Sequence, residues 1–177
     1  MPDGFPSFSA EPIHEFINAN CFPDFGSSSF PVFALGPVSY PDLKHISAVV
    51  NEQARAEISF DPDEFEELGH VIDVPEQWDL NGRSIEEAVH HHFSPFDPSE
   101  RLKNGDPKWY PVGFVAALKK EWQNKGLILG YLQKEEGYLA FKSCVVKPDE
   151  LGGCLISFRQ GNAEFDHVRK FLEADRD

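Results

Sequence analysis

Three consecutive histidines, His90-His91-His92, are the side chains in this 177-residue chain that most invite a chemical reading. A metal site needs imidazoles converging on one ion at about 2.0–2.1 Å. Successive residues of a helix diverge by about 100°, so three in a row cannot share an ion by themselves. On a helix the run gains Glu86 beside His90 and Glu87 beside His91, four residues apart. In extended chain His90 and His92 would lie on one face. No metal is assigned. A solvated or core-edge run is the plainer reading, and titration near neutrality is what it adds.

The carboxylates of Asp61-Pro62-Asp63-Glu64-Phe65-Glu66-Glu67 resemble the start of a calcium loop. Such a loop requires Gly at its sixth position and Glu at its twelfth, where this chain has Glu66 and Ile72. The cluster is therefore read as a solvated face or a docking surface for a basic protein. Asp73, after Val71-Ile72, is the single acid best placed for acid–base work, with His70 as its nearest imidazole. Cys21, Cys144 and Cys154 are odd in number and widely spaced, unlike a disulfide framework. Cys144 and Cys154 sit in apolar runs that suit inert thiols, whereas Cys21 lies in a looser stretch after His14. No phosphate loop, dinucleotide fingerprint or nucleophile elbow occurs, so no cofactor is assigned.

Periodicity and turn chemistry supply the elements that would position these groups. Ser9 opens a short helix with Ile13, Phe16 and Ile17 on one face. Phe30–Gly36 reads as a strand, with Pro31 favouring its start or an edge. Pro41 and Asp42 begin a helix to about Ala56 with Leu43, Ile46, Val50 and Ala54 as its stripe. Glu57–Phe60 is a second strand, 61–68 an acidic helical turn stopped by Gly69, and His70–Val74 extended chain. Asn81-Gly82 marks a turn, and Ser84 with Glu87 forms a capping box opening a helix through about Phe93.

Residues 94–111, with Pro95, Pro98, Pro107 and Pro111, are the longest loop-like stretch. Pro111–Asn124 reads as a helix using Phe114, Val115, Leu118 and Trp122, stopped by Gly126. Leu127–Leu132 and Tyr138–Val146 form a hairpin, and Cys154–Phe158 a further strand after a Pro148–Gly153 loop. Asn162 caps a last helix using Phe165, Val168 and Leu172. The expectation is one α+β (or α/β-like) domain over 1–177, with a mixed sheet of about five to six strands packed by three to five helices.

Charge narrows the function classes. Residues 1–100 hold nineteen acids against three Lys or Arg, and 101–177 eleven against thirteen. The halves therefore carry −16 and +2, making the total of −14. Such a chain repels nucleic acid and anionic membrane, and no stretch approaches the ~18 apolar residues of a membrane helix. Lys108-Trp109-Tyr110 with Lys119, Lys120 and Lys125 is a modest basic–aromatic grouping, too small to offset the acids. No signal-peptide pattern opens the chain and no Asn-x-Ser/Thr acceptor occurs, so a cytoplasmic location is expected.

Two functions follow. The first is an acidic, inhibitor-like module docking a basic protein through Asp61, Asp63, Glu64, Glu66, Glu67, Glu76, Asp79, Glu86 and Glu87. Self-association of the acidic half with the basic half belongs to the same physics. The alternative is a small enzyme in which loop 94–111 covers His90–His92 with Asp73 or Cys21.

Overall fold

A computed structural model describes residues 28–57, 69–93, 108–135, 138–160 and 165–174. Ten elements follow in chain order: β1 (Phe30–Ala34), α1 (Tyr40–Glu57), β2 (Ile72–Asp73), α2 (Ile85–Phe93), β3 (Gly113–Ala117), α3 (Trp122–Lys125), β4 (Leu127–Glu135), β5 (Tyr138–Val146), α4 (Pro148–Arg159) and α5 (Phe165–Ala174). The five strands make one mixed sheet in the order β2-β1-β3-β4-β5, an α+β arrangement as expected. β1 runs parallel to both β2 and β3, and β3, β4 and β5 alternate. Among the described residues, no helix is long and apolar enough to cross a membrane.

β1 and β3 are buried throughout, which explains their unbroken apolar sequences Phe-Pro-Val-Phe-Ala and Gly-Phe-Val-Ala-Ala. One sheet face carries Phe33, Phe114 and Phe141, onto which α2 lays His91, His92 and Phe93. The opposite face carries Phe30 and Tyr131, packed with Tyr110, Phe158 of α4 and Phe165 of α5. Arg159, 2% exposed, reaches back from the end of α4 and donates to the His70 carbonyl (3.2 Å).

α1 is the helix its stripe implies, with Leu43, Ile46, Val50 and Ala54 all buried. Ser39 and Asp42 cap it reciprocally: the Ser39 N–H and hydroxyl donate to Asp42 Oδ2 (3.0 and 2.6 Å), while the Asp42 N–H reaches Ser39 Oγ at 3.4 Å. The same helix lies along the outer edge of β2. There the Asn51 amide accepts from the Val71 and Ile72 N–H groups (2.8 and 3.3 Å) and donates to the Ile72 carbonyl (2.9 Å). Ser47 Oγ donates to that carbonyl as well (2.9 Å).

Two expected elements change type. Pro111–Asn124 is not a helix: Gly113–Ala117 is strand β3, and only Trp122–Lys125 is helical. Phe114, Val115, Leu118 and Trp122 satisfy helical spacing. Yet 112–117 is also an unbroken apolar run, and periodicity cannot separate a buried strand from a helix there. Pairing with β1 on one side and β4 on the other decides the matter. Gly113 belongs to this packing, because a Cβ would come within 2.6 Å of the Phe30 ring.

Likewise Cys154–Phe158 is part of α4, not a strand. Pro148 sits in the first turn with Asp149 and Glu150, a helix start in composition, but Gly152-Gly153 suggests a turn. The glycines instead let α4 lie directly on α1, where a Cβ at Gly152 would stand 2.8 Å from the Ala54 nitrogen. The expected Glu57–Phe60 strand is corrected at its first residue, since Glu57 ends α1; β1's parallel neighbour is Ile72–Asp73. The hairpin is present, with β4 running three residues past the expected Leu132, and is paired from Leu127↔Val146 to Glu135↔Tyr138. The Ser9 helix, residues 58–68, most of loop 94–111 and the Asn162 cap lie outside the described residues.

Candidate functional site

Of the nine acids expected to form a docking surface, Glu76, Asp79, Glu86 and Glu87 are described, on the chain that leaves β2 and at the start of α2. Leaving β2, the chain passes Glu76, Gln77, Trp78 and Asp79 and returns to β1, where the Ala34 N–H donates to the Trp78 carbonyl (2.9 Å) and the Leu80 N–H to the Ala34 carbonyl (2.9 Å). Glu76 and Asp79 are exposed. Asp79 Oδ1 accepts from the Asn81 N–H (3.1 Å), which shapes the Asn81-Gly82 turn, where Gly82 takes a left-handed φ of 80°. That turn delivers α2.

At the start of α2 the expected capping box is present. The Ser84 N–H donates to Glu87 Oε2 (2.8 Å), and the Glu87 N–H donates to Ser84 Oγ (3.2 Å). Glu87 is thus committed to its helix. Glu86 points to solvent, and its carboxyl is held below its usual range by hydrogen bonding to the Ser84 hydroxyl and to its own backbone N–H. Asp61, Asp63, Glu64, Glu66 and Glu67 lie outside the described residues.

Two aromatic side chains stand within this acidic surface. Tyr40, the first residue of α1, is 43% exposed and its ring centroid lies 5.7 Å from that of the partly buried Trp78. Lys44 Nζ lies 5.8 Å from the Tyr40 centroid and forms an ion pair with Asp73 (2.9 Å). Sequence reasoning passed over both aromatics. Trp78 offered a signal, standing between Glu76 and Asp79, whereas Tyr40, three residues before Leu43, falls at the stripe's own spacing and offered none. The crevice between the carboxyl ends of β1 and β3, a common ligand position in parallel sheets, is closed here. A Cβ at Gly36 would run into the Leu118 carbonyl.

The residues of the enzyme reading are not brought together among the described positions. Burial alone would raise the Asp73 carboxyl, but the Lys44 ammonium and the Val74 N–H (2.8 Å) hold it below its usual value. The same bond raises Lys44. His92 lies across the sheet, 4.7 Å from Phe93, 5.7 Å from Phe114 and 6.1 Å from Phe33 by ring centroid. Its Nε2 is 3.0 Å from the Tyr110 carbonyl, so the neutral ring donates from that nitrogen. Although the residue keeps some exposure, desolvation of its ring lowers the pKa to about 4, partly opposed by the Tyr110 carbonyl.

His91 meets Phe33 edge-on at 5.5 Å, and His90 is exposed. The three imidazoles diverge, and no three His, Cys, Asp or Glu converge on one point among the described residues. Cys21 lies outside them. Cys154, half-buried on α4, has its thiol pushed up to about 12 by burial and by the nearby Cys144, Glu150 and Glu57. That is the environment of an inert thiol.

Family models, curated proteins and solved structures were all compared with this chain, and none matches it.

Proposed function

We propose that this protein is an acidic docking module that binds, and by occupancy inhibits, a basic protein. The observation that carries the reading is the exposed group Glu76, Asp79 and Glu86, set beside the Tyr40–Trp78 ring pair at one end of the sheet. None of the three carboxylates forms a Lys or Arg ion pair among the described residues. Carboxylates at the rim of such a surface accelerate encounter with a cationic partner and select against an anionic one. Tyr and Trp are the residue types that most often anchor an interface once it forms. The run Asp61–Glu67 extends the same charge in sequence, and the net −14 favours steering over long range.

A basic partner here means a protein whose working surface is positive, such as a nuclease or another cationic toxin. A reducing, cytoplasmic setting fits this reading, because three widely spaced cysteines are unlike a disulfide framework.

The test is capture from a lysate of the protein's own source at low and high salt, followed by association kinetics with whatever basic protein is retained. Retention should fall with salt, and the association rate should drop at least tenfold between ~0.05 and ~0.5 M salt, where the Debye length shrinks from about 14 to 4 Å. Glu76→Lys, Asp79→Lys and Glu86→Lys together should slow association further. A rate indifferent to both salt and these substitutions would remove the electrostatic case.

A further inference from the structure

Three large apolar side chains are exposed among the described residues: Tyr40 (43%), Leu118 (44%) and Val145 (41%). They come from distant parts of the sequence, yet all lie at one end of the sheet. Pairing sets the level: Ala34 is opposite Ala117, Ala116 opposite Ile128, and Ile128 opposite Val145. Leu118 follows Ala117 directly. Tyr40 stands above β1's carboxyl end at the start of α1, and the Tyr40–Trp78 contact ties it to the same end.

Charge is sorted across this end. On the β2 side are the exposed Glu76 and Asp79, with the exposed Lys44 paired to Asp73 (2.9 Å), and the exposed Arg83 and Glu86 stand at the entry to α2. On the side of β3 and β4 are the exposed Lys119, Lys120 and Lys125, with Glu121 the exposed acid among them. Beyond β5, Lys147 is already paired with Glu150 (3.7 Å). At about 4.8 Å per strand the five-stranded end is roughly 19 Å wide; Tyr40 stands over β1 and Leu118 follows β3, whereas Val145 lies at the β5 edge.

We propose that this end of the sheet is a self-complementary interface on which a second copy of this chain docks. The two-fold axis lies in the interface, at right angles to the line from acids to lysines, and crosses that line between β1 and β3. Rotation about it lays Glu76 and Asp79 of each copy against Lys119 and Lys120 of the other. It also sets Tyr40 of one copy against Leu118 of the other. A two-fold contact needs one patch that complements itself, which an end bearing a single sign of charge could not supply. The pairing uses the same carboxylates as the docking module proposed above but needs no other protein, so self-association and capture of a basic protein compete for this end.

Sedimentation equilibrium on the full chain tests it, over about 1–100 µM protein at ~0.05 and ~0.5 M salt. A dimer is expected at low salt, weakened at least tenfold at high salt. Lys119→Glu with Lys120→Glu should give a monomer. Adding Glu76→Lys and Asp79→Lys to that chain reverses both sides at once and should restore the dimer. Leu118→Asp should give a monomer at either salt. All five positions are exposed, and circular dichroism confirms that each variant is folded. A wild-type monomer throughout, a dimer indifferent to the lysine reversals, or no recovery in the fourfold variant would each overturn the proposal. A chain that stays monomeric leaves the basic-partner reading standing. A chain that dimerises but retains no basic protein sinks only that other reading.

Discussion

His92 shows how a residue type that suggests reactivity is put to structural use. Its ring is enclosed by Phe33, Phe93 and Phe114 and bonds the Tyr110 carbonyl, joining α2 to the chain entering β3. With its pKa lowered to about 4 in the folded state, the unfolded chain takes up the proton first as acidity rises. This contribution is therefore whole above pH ~6.5 and is lost progressively down to about pH 4, by about 2 kcal/mol at pH 5. Urea denaturation at pH 7 and pH 5 measures it. His92→Phe should flatten that part of the pH dependence while costing about 1 kcal/mol at pH 7 for the lost bond. A variant as acid-sensitive as the wild type would mean that another group titrates. The Lys44–Asp73 pair is half exposed, and Asp73→Ala should change stability by no more than about 1 kcal/mol.

Between elements, α4 packs directly on α1, and the two glycines there predict opposite results. Gly152→Ala drives a methyl toward the Ala54 nitrogen and the Val50 carbonyl, 2.8 and 2.9 Å away, and should destabilise by about 1–3 kcal/mol. Gly153→Ala meets only the mobile carboxylate of Glu57, so its gain in helix propensity, up to about 1 kcal/mol, should survive. Thermal unfolding of the two variants decides; equal effects would show that the helices are not in contact there.

The same glycines explain why α4 was hard to read. Local chemistry identified α1 and α2 because Pro41 with Asp42, and Ser84 with Glu87, act within a few residues, and the β4–β5 hairpin because its two apolar runs are close in sequence. β3 and α4 depend on distant chain. Gly113 is fixed by Phe30 and Tyr131, and Gly152 by α1. The candidate site divides the same way. Glu76, Asp79 and Glu86 were legible as an acidic surface, whereas Tyr40, Trp78 and Leu118 acquire meaning only when β1, β2 and β3 align their ends.

At the scale of the molecule the charge is uneven along the sequence, −16 over residues 1–100 and +2 over 101–177. Added salt should raise the melting temperature slightly at pH 7, because it screens the repulsion of a −14 chain. A fall in melting temperature would mean that internal ion pairs outweigh that repulsion.

One further consequence concerns the flank of β2. A terminal strand normally offers its backbone as a template for foreign chains, the first step toward amyloid-like growth or domain swapping. Here the Ile72 N–H and carbonyl are occupied by the Asn51 side chain, with Ser47 on the same carbonyl. An amide held by a helix thus imitates a neighbouring strand that cannot itself be extended. Asn51→Leu should lower stability by about 2–3 kcal/mol through the unpaired groups it leaves. It should also make the protein precipitate on warming in a way that Gly152→Ala does not, since only the former removes the guard.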